Sequence, residues 1–133
     1  MRNIKKCNKE AAGCMRKCIL VVDDDTMNLK RTRLILEKHY DWILAKSGEE
    51  ALEKLKQEKI DLILLDIAMP HMNGIETFKH MKEDNVEVPV IFLTASGDED
   101  DVVAALSLGA ANYLKKPFLP KELLDRIAKE FER

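Results

Sequence analysis

Four short segments of the 133-residue chain concentrate its reactive side chains. Asp23-Asp24-Asp25 follows one apolar run, Asp66 ends another, Thr94-Ala95 ends a third, and Lys115-Lys116-Pro117-Phe118 follows a fourth. Carboxylates crowded between apolar walls repel one another, so they must share protons or a cation. An all-oxygen donor set selects a hard ion, Mg²⁺ or Mn²⁺, and Mg²⁺ takes one or two carboxylates together with phosphate oxygens. An aspartate can itself attack phosphorus and become an aspartyl phosphate. A lysine offers a compact positive charge to one phosphate oxygen, and a threonine hydroxyl can donate to another. Singly, each residue is as much at home in a structural role: Asp23 to Asp25 as caps of a following helix, Thr94 as a cap of a later one. Asp25 needs no role beyond capping. Their joint arrival at successive strand ends is what points to phosphoryl chemistry.

The elements that must position them can be read from apolar spacing. Cys18-Ile19-Leu20-Val21-Val22, Trp42-Ile43-Leu44-Ala45, Leu62-Ile63-Leu64-Leu65, Val88 to Leu93 and Tyr113-Leu114 are short apolar runs. Leu29, Leu34, Ile35 and Leu36 recur at helical spacing within residues 26 to 38. Ser47 with Glu50 reads as a capping box for a helix carrying Ala51, Leu52 and Leu55. A loop with Pro70 and Gly74 leads to a helix over 74 to 84. A further helix spans 99 to 108 with Gly109 as its C-cap, and Pro120 suits the first turn of a last helix. Five β-α units result. Continuous rather than alternating apolar runs indicate strands covered on both faces, hence a parallel sheet with helices on each side. Right-handed crossovers make it doubly wound, with ligands beyond the carboxyl ends of the strands.

Bulk properties narrow the setting. Hydrophobic residues make up 46% of the chain and aromatic ones 5%, enough for one aliphatic core. A net charge of −2, with both signs mixed, gives no footprint for nucleic acid or an anionic membrane, so direct contact with either is not expected. Without an apolar run of spanning length or a secretory signal, a cytoplasmic protein is expected. Cys7, Cys14 and Cys18 lack a fourth ligand at zinc-like spacing, and Cys18 opens a strand as a small buried side chain. Residues 1–16 are expected to be a flexible extension. Its basic residues, among them Arg2, Lys5, Lys6, Lys9 and Arg16, read as a solvated tail, and Met15 is an alternative start.

The segments Ile19 to Asp24, Leu64 to Pro70 with Gly74, Phe92-Leu93-Thr94-Ala95 and Lys116-Pro117-Phe118 together resemble the four signatures of response-regulator receiver domains of two-component systems. The match runs over about residues 17 to 132, so residues 17–133 are taken as the receiver. The resemblance implies the CheY-like, flavodoxin-like fold with strand order 2-1-3-4-5. It also implies that Asp66 is the phosphoacceptor, that Asp24 binds the metal directly, and that Asp23 acts mainly through water. The Ala68 carbonyl would complete the protein ligands, and Thr94 and Lys116 would contact the phosphoryl oxygens. Lys115 is the rival lysine, but the Lys-Pro pair selects Lys116, in a bond commonly cis in the family. Tyr113 stands where the family places its aromatic switch, coupled to Thr94; a half-buried edge tyrosine is the plainer reading.

The implied partners are a histidine kinase or His-phosphotransfer protein as donor, and a downstream protein target or output domain as recipient. A phosphorylation-dependent homodimer is a further possibility, using the surface of the fourth helix, fifth strand and fifth helix. His39, His71 and His80 are poor candidates for carrying phosphate, so the donor histidine should lie on another protein. A haloacid-dehalogenase-type phosphohydrolase would want a second aspartate two residues after the nucleophile, where Ala68 stands, so the chain is not read as a multiple-turnover enzyme. A flavodoxin would cradle phosphate in a glycine-rich first loop, which Asp23-Asp24-Asp25 opposes. With the sequence stopping at Arg133, just after the last helix, no output domain is expected within it. Stand-alone regulator, relay intermediate and fragment of a larger protein all stay open.

Overall fold

Every apolar run becomes a strand, and every intervening amphipathic stretch a helix. The computed structural model describes residues 5–6, 16–95 and 99–132, without the side chains of residues 5, 6, 99 and 101. In chain order the elements are β1 (Lys5–Lys6), β2 (Cys18–Val22), α1 (Thr26–Leu36), β3 (Asp41–Ala45) and α2 (Gly48–Gln57). Then follow β4 (Leu62–Asp66), α3 (Gly74–Glu83), β5 (Val90–Thr94), α4 (Glu99–Ser107), β6 (Asn112–Lys115) and α5 (Pro120–Phe131). The sheet order is β1-β3-β2-β4-β5-β6. All pairs from β3 to β6 are parallel, so these five strands have the expected 2-1-3-4-5 order.

The sixth strand was not anticipated. Lys5–Lys6 pair antiparallel with β3, Lys5 opposite Ile43 and Lys6 opposite Trp42. Arg16, expected within the extension, is also tied to the domain. Its Nη2 donates to the carbonyls of Glu37 at 2.7 Å and Tyr40 at 2.8 Å, closing the C-terminal end of α1. Cys7 and Cys14 lie outside the described residues, whereas Cys18 is buried in β2 as a small side chain.

Alternation along the strands splits the core in two. Leu20, Val22, Ile43, Ile63, Leu65 and Phe92 face one side, where they meet Ala51, Phe78, Met81 and Ala105 from α2, α3 and α4. Ile19, Val21, Leu62, Leu64, Ile91 and Leu93 face the other and meet Leu29, Leu36, Leu123 and Ile127 from α1 and α5. Burial on both faces is why the runs read as continuous rather than alternating. Phe78 meets Phe92 edge-on at 5.4 Å between ring centres, a preferred aromatic geometry.

Local signals set most helix ends. Asp25 caps α1, its side chain accepting from the Met27 N–H at 2.9 Å. Ser47 caps α2, accepting from the Glu50 N–H, but Glu50 reaches back to the Lys46 N–H rather than to Ser47, so the expected box is shifted by one residue. A full box occurs instead on α3, where Asn73 and Glu76 serve each other's backbone. Pro120 opens α5 as expected. Gly109 follows α4 at φ 106°, with the Ala110 N–H donating to the Ala105 carbonyl, a Schellman closure that favours glycine. Since α4 begins at Glu99, Thr94 does not cap it. Among the described residues no helix is long and apolar enough to cross a membrane.

Candidate functional site

Three hydrogen-bond ladders run one residue past their strands, and each carries a residue of the site. The Asp23 N–H donates to Ala45 O at 3.1 Å beyond β2–β3. Ile67, next to Asp66, donates to Leu93 O at 3.1 Å beyond β4–β5, and Lys116 donates to Thr94 O at 2.8 Å beyond β5–β6. Asp23, Asp66, Thr94 and Lys116 are thereby fixed at the carboxyl edge of the sheet by backbone rather than by loops. Asp23, Asp66 and Thr94 are buried, while Asp24 and Ala68 are exposed at the rim.

Lys116 is the hub. Its Nζ lies 3.0 Å from Asp66 Oδ1 and 3.0 Å from Asp23 Oδ2. The other oxygen of Asp23 accepts the Asp25 N–H at 2.9 Å, so both Asp23 oxygens have donors. Asp23, Asp24 and Asp66 each offer an oxygen, and these oxygens lie within 4.8 Å of one another. Burial, then the charge of Asp23, push the Asp66 carboxyl up to about 6 against the pull of Lys116. Burial alone would lower the Lys116 ammonium, but Asp66 and Asp23 outweigh it and hold its pKa above the ordinary value. Three carboxylates around one ammonium leave an excess of negative charge, and the donors are all oxygen. This set fits a hard divalent cation.

The loop after Asp66 is drawn tight over it. Ile67 O accepts from both Met69 N–H at 3.1 Å and Gly74 N–H at 2.8 Å. A side chain on Gly74 would put its Cβ 2.3 Å from Asp66 O and 2.8 Å from Ile67 Cα, so only glycine lets α3 start this close. His71 sits in this loop, exposed, at φ 69°. The Lys116–Pro117 bond is cis.

Not every expected residue is at the centre. The Thr94 hydroxyl donates to Ala95 O at 3.2 Å, not to a carboxylate. Tyr113 is 38% exposed, so its ring lies outward. Its carbonyl accepts from Arg126 Nη1, which also donates to Asn112 Oδ1 at 3.0 Å. Nothing in the local sequence marks Arg126 or the closeness of Gly74 to Asp66; both depend on tertiary packing. Beside the carboxylates opens a cavity of about 600 Å³, lined in part by Asp23, Arg31, Ile35, Lys116 and Phe118.

Residues 19–128 match the family model of the response regulator receiver domain. The chain belongs to the response regulator receiver family. The receiver is 44% identical over 114 residues to the alkaline phosphatase synthesis transcriptional regulatory protein PhoP of Bacillus subtilis, covering 85% of this chain and 48% of that protein. It is 39% identical over 120 residues to the DNA-binding response regulator MtrA of Mycobacterium tuberculosis, covering 90% of this chain and 52% of that one. In structure it resembles a CheY-like receiver domain protein from Methanospirillum hungatei, with a TM-score of 0.82 and 34% identity over 88% of this chain and 94% of that one. The receiver thus spans about half the length of the curated relatives it matches. With a DNA-binding regulator among those relatives, the expected lack of nucleic-acid contact does not extend beyond the receiver itself.

Proposed function

We propose that this receiver accepts a phosphoryl group on Asp66, assisted by Mg²⁺ or Mn²⁺, and thereby changes a partner-binding surface. The observation that carries the reading is the Asp66 carboxylate held 3.0 Å from Lys116 and grouped with Asp23 and Asp24. Asp23, Asp24, Asp66 and the exposed Ala68 carbonyl would hold the cation, Asp23 in part through water. When bound, it offsets repulsion between the anionic nucleophile and the anionic donor.

The chain's own groups do the rest. Ionised Asp66 attacks phosphorus, a P–O bond forms, and the P–N bond of a phosphohistidine breaks with its electron pair returning to the imidazole. Asp66 must be deprotonated to attack, which its pKa of about 6 allows at neutral pH. Lys116, 3.0 Å from Asp66 Oδ1, would stabilise a phosphoryl oxygen. Thr94 must turn its hydroxyl from Ala95 O to reach another, and that turn vacates space for the Tyr113 ring to move inward, a population shift. Water then cleaves the acyl phosphate, releasing inorganic phosphate and regenerating the Asp66 carboxylate, so the receiver catalyses only its own phosphorylation and dephosphorylation and is not a general multiple-turnover phosphatase.

The cavity beside Asp23 and Lys116 gives a donor access from the α1 side, where Met27 and Leu34 stand exposed. The donor is a histidine kinase or a His-phosphotransfer protein. The recipient is an output domain or downstream protein, with phosphorylation-dependent homodimerisation on the α4–β6–α5 face as one mode. There Val103, Leu106 and Tyr113 are exposed. A cytoplasmic location suits this role.

Incubation with phosphoramidate or acetyl phosphate, followed by intact mass, tests the reading. A single Mg²⁺-dependent phosphoryl adduct, absent in Asp66→Asn, is the expected result. No adduct on the parent chain would reduce the receiver to a docking module.

A further inference from the structure

One wall of the cavity beside the carboxylates is a single face of α1. Asn28, Arg31, Thr32 and Ile35 stand three and four residues apart, so they share that face, and all four line the cavity. Pro117, Phe118 and Pro120 line it from the other side. The phosphoryl chemistry uses none of these α1 side chains. Among the described residues, the Asn28 amide, the Arg31 guanidinium and the Thr32 hydroxyl make no hydrogen bond or ion pair. A helical threonine can return its hydroxyl to the carbonyl four residues back, as Thr77 does to Asn73 O at 2.9 Å. Thr32 does not, although it is only 4% exposed. A buried hydroxyl without a partner costs stability, and one that borders a cavity is satisfied by what enters it.

We propose that this cavity is a binding site for a small organic acid with an apolar body, its carboxylate held by Arg31, Asn28 and Thr32. All three free groups can donate, and Arg31 can do nothing else, which selects an anion. The planar guanidinium matches a carboxylate in shape as well as charge. Asp23 lines the same cavity, but both of its oxygens are taken, by Lys116 and by the Asp25 N–H. The head group therefore belongs on α1, with Arg31 more than a turn along the helix from Asp25. The apolar body then packs between Ile35 and Leu34 on one side and Phe118 with the two prolines on the other. A volume of about 600 Å³ lies in the range of small-molecule sites and far exceeds a lone carboxylate. The site depends on α1 and the β6–α5 loop, not on whether Asp66 accepts phosphate.

The test is made on the full, unphosphorylated chain, with 2-naphthoate as the probe and the backbone amide resonances as the readout. Shifts should concentrate at residues 28–35 and 116–120, with a Kd of about 1 mM or tighter for a ligand of this size. Arg31 is exposed, so Arg31→Gln should fold as the parent does and bind the acid about tenfold more weakly. The uncharged 2-naphthamide keeps the apolar body. It should bind the parent about tenfold more weakly than the acid does, and should not distinguish the parent from Arg31→Gln. Thr32→Val should weaken the acid roughly threefold or more while leaving the ligand-free chain no less stable, because the lost hydroxyl had no partner. A merely structural threonine would show the reverse pattern. Shifts confined to other surfaces, or no shifts at all, overturn the proposal. So does equal affinity for acid and amide, or either variant binding the acid as tightly as the parent.

Discussion

The Lys116 ammonium bridges Asp66 on β4 and Asp23 at the end of β2, 3.0 Å from an oxygen of each. It stands in for part of the positive charge that the carboxylates demand, yet leaves them in excess. Folding has therefore assembled an arrangement that resists its own ionisation, and that resistance can be measured.

The stability of the metal-free chain should fall as pH rises through the range in which Asp66 ionises. Its carboxyl ionises near 3.8 when unperturbed and near 6 in the fold, so the folded state binds the proton more tightly. That contribution is fully present below the lower value and is lost as pH passes about 6. Asp66→Asn should be more stable than the parent above pH 7, by up to about 3 kcal/mol from the size of the shift. Denaturant melts at pH 4 and pH 7.5 without divalent ions check it; an equal gap at both would contradict this origin.

Cation affinity should follow the same titration with opposite sign. Protons and Mg²⁺ compete for Asp66, so binding measured by calorimetry should weaken about tenfold per pH unit well below pH 6 and level off above it. Chelation by EDTA should reverse any stabilisation the cation confers.

Lys116→Met removes a cation that shares two carboxylates with the metal. Mg²⁺ should then bind more tightly, by about tenfold or roughly 1.4 kcal/mol. Partner binding after phosphorylation should fall, since a phosphoryl contact is gone. Weaker Mg²⁺ binding by this variant would show that the lysine orders the carboxylates rather than competing for them.

Gly74→Ala should be disproportionately harmful for so small a change. The added methyl would meet backbone, Asp66 O at 2.3 Å, and no side chain can move aside to relieve it. A loss of about 2 kcal/mol or more is expected from such overpacking, along with slower phosphorylation because the Asp66 backbone is displaced. Gly109→Ala, at a positive φ far from the carboxylates, should cost stability but leave the phosphorylation rate unchanged.

Most of the architecture was legible because the strands are buried on both faces and their apolar runs are unbroken. The residues that gather at the carboxyl edge were legible for the same reason: Asp23, Asp66, Thr94 and Lys116 each sit at or one step past the end of a strand. What escaped was set by contacts distant in sequence or by competition among neighbours. Lys5 and Lys6 have no apolar pattern, and only the open edge of β3 makes them a strand. Glu50 prefers the Lys46 N–H to that of Ser47, a choice between adjacent donors that spacing alone does not decide.

Arg126 holds the Tyr113 carbonyl and the Asn112 side chain together, so the backbone beneath the exposed ring is pinned to α5. A ring on a pinned backbone changes place only by turning about its own side-chain bonds. At an exposed position such turns finish within nanoseconds. If Tyr113 is the switch and Asp66 the phosphoacceptor, as proposed, the duration of a message written at Tyr113 would be the lifetime of the acyl phosphate, and the ring would keep no memory of its own.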